Sequence, residues 1–250
     1  MARLAPKPEE KEGMSFLEHL DELRSRLFRS AIVFVGLLAL GWAYSDHILK
    51  FLMVPFERHL GPRGDLVFLT PTEPFFVYLK ASAVLALFVA MPYLLWQLWA
   101  FVSPGLHPHE RRLAIPFLVF GTGFFVGGAA FAYYVALPLS IAWLLNLGSQ
   151  FRAALTLQAA FGFESRVVLA MGLVFELPIV IFFLARIGLV TPQFLWRYLR
   201  HAIVLIAILA AVITPSGDML TMSVFGGPMV LLYLLGIVIA QLFGKPRKTA

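Results

Sequence analysis

Apolar residues gather into six runs along this chain, at about 28–48, 75–101, 113–145, 164–186, 198–213 and 219–243, each bounded by polar or turn-forming residues. A helix needs about 20 apolar residues to cross about 30 Å of hydrocarbon, and the first four runs are long enough. The fifth, at about 15 residues and 1.5 Å each, covers only about 22 Å. The sixth is interrupted by Gly226-Gly227-Pro228, which leaves a regular portion of similar length. Two short adjacent spans predict local thinning of the bilayer, or shelter of their ends by the other helices.

A charged amphipathic helix at 14–27 leads into the first run. Ser15 and Glu18 form a capping box at its start. Phe16, Leu20, Leu23 and Leu27 recur at helical spacing as one apolar stripe. Glu18, Glu22 and Arg26 stack at i, i+4 on another face, beside His19. By itself this reads as a solvated face on which Glu22 pairs with Arg26, worth a few tenths of a kcal/mol. Thr191-Pro192 predicts an N-cap and first turn for the fifth helix, and Thr214-Pro215-Ser216-Gly217 predicts its end. The connection from 48 to 74 carries Pro55, Pro62, Pro71 and Pro74 between apolar clusters, which predicts a packed cap over the bundle. The connection at 146–163 is similar in kind. No repeat of 20–50 residues is visible.

Composition turns this pattern into a solvent assignment. The 250 residues are 60% hydrophobic and 14% charged, with a mean hydropathy of +0.84. A soluble domain would be about a quarter charged, so lipid solvates most of this surface. The expected fold is all-α, with six transmembrane helices, two short C-terminal spans and structured external loops. Residues 1–13 read as a disordered tail and not as a cleavable signal peptide, 14–244 as one six-span membrane domain, and 245–250 as a short basic tail.

Six spans put both termini on one side. That side carries fourteen Lys and Arg, among them Arg111, Arg112, Arg186, Arg197 and Arg200. The other carries five: Lys50, Arg58, Arg63, Arg152 and Arg166. The positive-inside rule therefore places both termini in the cytoplasm. The formal charge of +6 reflects that topology and anionic lipid, and needs no nucleic acid. The absence of a transit peptide favours a bacterial or archaeal plasma membrane. With no cysteine, disulfides, thiolate catalysis and Cys-based metal sites are excluded.

Candidate chemistry is sparse. Between the second and third runs lies WAFVSPGLHPHERRL, residues 99–113. Pro104 and Gly105 end one span, Pro108 suits the first turn of the next, and Glu110 then falls near N3, where a carboxylate favours the helix dipole. His107 and His109 lack further ligands for a metal. Glu176 lies in the uncharged run 167–185, at a penalty of about 2.5–3.5 kcal/mol on insertion scales. It reads either as a functional carboxyl or as a hydrogen-bonded interior residue whose partner is a carbonyl freed by Pro178. Asp218 suits the N-cap of the sixth helix. Gly123 and Gly127 form a GxxxG, which fits close helix contact inside the bundle or with a partner. HExxH, Walker A, GxSxG and GxGxxG motifs are absent, so no enzyme activity and no cofactor are expected.

Three segments together carry a family resemblance. HLDELRSRL before the first span, WAFVSPGLHPHERRL between the second and third, and FELP at 175–178 resemble the signatures of the TatC family, the receptor core of the twin-arginine protein translocase. The fit extends from about Ser15 to Gly244. It implies a concave bundle that binds signal peptides with consecutive arginines at its cytoplasmic face. Glu22 and Glu110 match glutamates central to that recognition. A carboxylate accepts the planar guanidinium fork bidentately, where Lys offers a point charge. His19, Arg24, Phe101, Leu106, Arg111 and Arg112 match further positions near the site. Glu176 matches an intramembrane polar site for partner helices or cargo, and Pro55, Tyr133 and Asp218 match positions of structural or partner-linked role. The resemblance further implies single-span partners of the TatA and TatB types, homo-oligomers in the complex, and export of folded proteins driven by the proton-motive force. A proton-coupled secondary transporter using Glu176 is the alternative reading. Against it, only the sixth span is broken, with no matching break in the first three.

Overall fold

A computed structural model of the protein describes residues 16–60, 65–105, 110–151, 154–214 and 218–244, without the side chains of Phe16, Asp65 and Glu110. Both predicted tails, the capping residue Ser15 and the 215–217 stop signal lie outside the described residues.

The chain is a helical bundle. Helix α1 runs Phe16–Trp42 without a break, so the amphipathic lead-in and the first apolar run are one helix. After a bend of 83° comes α2, Ser45–Leu60. The sequence predicts a packed cap here without assigning it an element. The chain makes a helix that accommodates Pro55 and buries Leu49, Leu52, Met53 and Phe56 on one face.

Then follow strand β1 (Asp65–Val67), α3 (Glu73–Val102), α4 (Ala114–Phe131), a π turn (Ala132–Ala136) and α5 (Leu137–Leu147). Strand β2 is Ala154–Thr156, and α6 is Leu157–Phe175. The last elements are α7 (Leu177–Arg186), α8 (Pro192–Arg197), α9 (Leu199–Ile213) and α10 (Met219–Phe243).

Among the described residues, four stretches are long and apolar enough to cross a membrane: Glu73–Val102, Arg111–Leu147, Leu157–Arg186 and Met219–Phe243. The bent α1–α2 pair counts as a fifth, and α9 is a shorter apolar helix. Two expectations are corrected here. Helix α10 continues through Gly226-Gly227-Pro228 for 25 residues, so α9 and not α10 is the short apolar helix of the last two runs. Helix α6 also starts at Leu157, seven residues before the predicted span, because Thr156 caps it by accepting the Ala159 N–H at 3.1 Å.

Further caps follow the sequence. Thr191 accepts the Phe194 N–H at 3.2 Å, although the helix it opens is the short α8, which ends at Arg197 before α9 begins. Asp218 accepts the Leu220 and Thr221 N–H groups at 3.1 and 2.9 Å. Gly188, at φ +84°, closes α7, and Leu189 N–H reaches back to the Leu184 carbonyl at 2.9 Å.

Two ends of the bundle can be told apart. At one, β1 and β2 pair in parallel, with Leu66 opposite Leu155. Glu73 reinforces this sheet end by accepting Leu69 N–H at 3.0 Å and Gln158 N–H at 2.8 Å. At the other, the start of α1 meets the end of α3. Between them, α3 is 30 residues and about 45 Å long, enough for the hydrocarbon and both interfaces. The largest core lies between α2, α3, α6 and α10, around Val77, Phe161, Met171, Phe225 and Met229.

Candidate functional site

At the end opposite the sheet, the charged face of α1 is turned toward α3. Arg26 Nε donates to Glu22 Oε1 at 2.9 Å, and Arg26 Nη2 donates to the same oxygen. Arg26 Nη1 donates to Gln97 Oε1 at 3.2 Å, and Gln97 Nε2 donates to the Tyr93 hydroxyl at 2.6 Å. His19 stacks on Phe101 with ring centroids 4.2 Å apart and planes 17° from parallel. Its Nδ1 is 3.7 Å from Glu22 Oε2, too far for a hydrogen bond. That Oε2 is shielded from solvent and has no hydrogen-bond partner among the described residues.

The expected Glu22–Arg26 pair therefore forms, though not on a solvated face. The apolar stripe points the other way: Leu20, Leu23 and Leu27 are exposed, as suits a helix lying against lipid. The face of α1 that meets α3 carries His19, Glu22 and Arg26, while the apolar stripe turns away from the bundle.

Of the residues singled out by sequence, His19, Glu22 and Phe101 come together. Arg24 projects elsewhere, its guanidinium 5.9 Å from the Phe28 ring centroid. Glu110 opens a 3₁₀ turn, Glu110–Leu113, that carries exposed Arg111 and Arg112. Its side chain, and Leu106, His107 and His109, lie outside the described residues. Sequence reasoning missed Gln97 and Tyr93. A glutamine and a tyrosine one turn apart inside the second apolar run were the signal available.

Deeper in the bundle, Glu176 occupies the break between α6 and α7 and is 6% exposed. Its Oε1 is buried with no hydrogen-bond partner among the described residues, so the expected bond to a freed carbonyl is absent at that oxygen. Gly121 lets α4 close over it: a β-carbon there would lie 3.4 Å from Glu176 Oε2.

Glu176 is not the sole intramembrane acid, contrary to the sequence reading. Because α6 starts early, Glu164 sits two turns inside it, fully buried, with both carboxyl oxygens unpartnered. The two acids are twelve positions apart, about 18 Å along a helix, too far for direct proton transfer.

Tyr133 lies in the π turn, stacks on Phe51 at 4.6 Å and donates to the Phe51 carbonyl at 2.6 Å, which ties α2 to the third span. Buried Pro55 leaves its carbonyl to His59 Nδ1 at 2.6 Å. The GxxxG glycines Gly123 and Gly127 face open space, which removes the reading of contact inside the bundle. Gly128 makes the tight contact instead, with α6: a β-carbon there would come within 2.6 Å of the Met171 carbonyl oxygen.

Helices of this length and hydropathy, with polar contacts gathered at the two ends of the bundle, define a multi-pass membrane protein. The comparisons give the particular family. The family model described as Sec-independent protein translocase protein (TatC) matches residues 18–228. The TatC protein of Koribacter versatilis (strain Ellin345) is 40% identical over 234 residues, covering 92% of this chain and 86% of that protein. The TatC protein of Helicobacter pylori (strain J99) is 39% identical over 231 residues, covering 92% and 90%. A crystal structure of the twin-arginine translocase receptor TatC in DDM superposes with a TM-score of 0.82 at 34% identity, covering 91% of this chain and all of the other. The chain belongs to the TatC family, and its place is that of a membrane component of the Sec-independent protein translocase.

Proposed function

We propose that this chain is the signal-peptide receptor and scaffold of the translocase, and that it reads pairs of arginines at a cytoplasmic face formed by the start of α1, the end of α3 and the 3₁₀ turn at Glu110. The observation that carries the reading is the state of Glu22. One carboxylate oxygen is held by Arg26 while the other is shielded and unpartnered beside the His19–Phe101 stack. That second oxygen is a ready acceptor for a guanidinium.

Arg26 already offers Glu22 the chemistry a peptide arginine would bring. An incoming arginine takes the unpartnered Oε2, while Arg26 keeps Oε1 and its bond to Gln97. Glu110 supplies the second carboxylate of the site. Two carboxylates reading two planar forks discriminate against Lys at either position. Phe101, Leu106, Arg111 and Arg112 orient and pack the site, and Arg24, turned toward Phe28, stands apart from it.

In this reading six segments cross the plasma membrane of a bacterium or archaeon, with both termini cytoplasmic. Residues 14–244 act as one membrane domain between the tails 1–13 and 245–250. Single-span proteins of the TatA and TatB types and further copies of the chain assemble on the bundle. Glu176 is a contact for those partners, and the proton-motive force drives export of folded cargo without catalysis by this chain.

Photocrosslinking a twin-arginine peptide to membranes containing the protein tests the site. Glu22→Ala or Glu110→Ala is expected to abolish the preference for Arg-Arg over Lys-Lys. Unchanged crosslinking and transport in both variants would sink the assignment.

A further inference from the structure

A cavity of about 630 Å³ opens between α3 and α6 at the sheet end, lined by Leu69, Glu73, Lys80, Gln158, Phe163 and Arg166 among others. Its two cations lie at similar depth. Lys80 is seven residues into α3 and Arg166 nine into α6, about 10 and 13 Å from the helix starts. If the 45 Å of α3 is centred on a 30 Å core, both lie just inside the boundary between headgroups and acyl chains. Both are exposed, and neither forms an ion pair with a carboxylate among the described residues.

The one carboxylate in the cleft does not neutralise them. Glu73 commits one oxygen to Leu69 N–H and the other to Gln158 N–H. The cleft therefore keeps net positive charge, and the N-terminal ends of α3 and α6 add to it. Cations at this depth are costly unless they reach polar groups. Two of them lining one cavity call for an anion between them. Leu69 and Phe163 give the same cavity an apolar wall, so its shape and charge fit an amphiphile.

We propose that this cleft binds the phosphate of an anionic membrane phospholipid from the leaflet at the sheet end, held jointly by Lys80 and Arg166, with its glycerol and upper acyl chain against Phe163. The site lies at the end opposite Glu22, and its use is independent of signal-peptide reading.

Native mass spectrometry of the full chain in neutral detergent, titrated with phosphatidylglycerol or phosphatidylcholine, tests it. Phosphatidylglycerol is expected to bind more tightly than phosphatidylcholine. At roughly one unit of surface-charge attraction per cation, Lys80→Gln and Arg166→Gln each lower its affinity about fivefold, and the double variant about thirtyfold. The charge-preserving pair Lys80→Arg with Arg166→Lys retains binding, as does Lys50→Gln, whose lysine is tied to Asp46 on α2. Should the double variant fail to fold, the two single variants carry the test. Equal binding of the two lipids, or undiminished phosphatidylglycerol binding in the Gln variants, overturns the proposal. So does competition by glycerol 3-phosphate as strong as by the lipid, which would mean a soluble phosphate site. A photoreactive residue at Gly162 that crosslinks in membranes to a protein helix and to no lipid also overturns it.

Discussion

Glu164 and Glu176 show what one side chain can mean in a membrane bundle. Both leave carboxyl oxygens buried without a hydrogen-bond partner. Glu176 sits at a helix break, with α4 closed over it at Gly121. Glu164 sits within an unbroken helix between Phe161 and Val168, sealed by the core. An unsatisfied buried acceptor costs about 1–3 kcal/mol, so Glu164→Met, similar in volume and without the oxygens, is expected to recover that amount. Thermal unfolding in detergent reads this as a raised midpoint. A lowered midpoint would mean that the carboxyl has a partner inside the bundle. Loss of transport despite the raised midpoint would mark Glu164 as functional and not merely tolerated.

Among the elements, the short sheet and Glu73 hold the connections before α3 and α6 to each other. Three residue pairs of parallel strand are too few to be stable alone. The Glu73 carboxylate, bonded to backbone on both connections, supplies the added constraint. Glu73→Ala is therefore expected to lower the unfolding midpoint and to speed proteolysis within 61–72 and 148–156. Glu73→Gln, which keeps one acceptor oxygen, should lose less. Equal loss in both would show that the charge matters and the acceptor geometry does not. The α1–α2 bend belongs to the same scale. Tyr133 clamps α2 from the third span through the Phe51 carbonyl and ring, and so fixes a cap that local sequence leaves ambiguous.

For the whole molecule, the proposed topology makes a simple prediction, because the chain has no cysteine of its own. Ser149→Cys, beyond α5 at the sheet end, is expected to react with a membrane-impermeant maleimide in intact cells. Gln193→Cys, at the start of α8, should react only after the membrane is opened. The reverse pattern would invert the orientation, and labelling of both in intact cells would mean that α6–α7 does not cross.

Local sequence alone located six apolar segments, the N-caps at Thr191 and Asp218, and the Glu22–Arg26 pair, because spans, caps and i, i+4 pairs are properties of neighbouring residues. It also carried the three motifs by which the family was recognisable. It could not say that α1 is continuous through Trp42, that α10 runs through Pro228, or that residues 45–60 are helical with Pro55 inside. Those outcomes depend on neighbours that pack the helix and satisfy its backbone. Nor could it decide which face of α1 turns inward. An apolar stripe points to the core in water and to lipid in a membrane, and only contact with Gln97 and Phe101, more than seventy residues away, settled it. The start of α6 likewise made Glu164 a buried residue two turns inside a helix, where the pattern had placed it at the start of a span. Burial and partnership are relations between distant segments, and tertiary structure alone decides them.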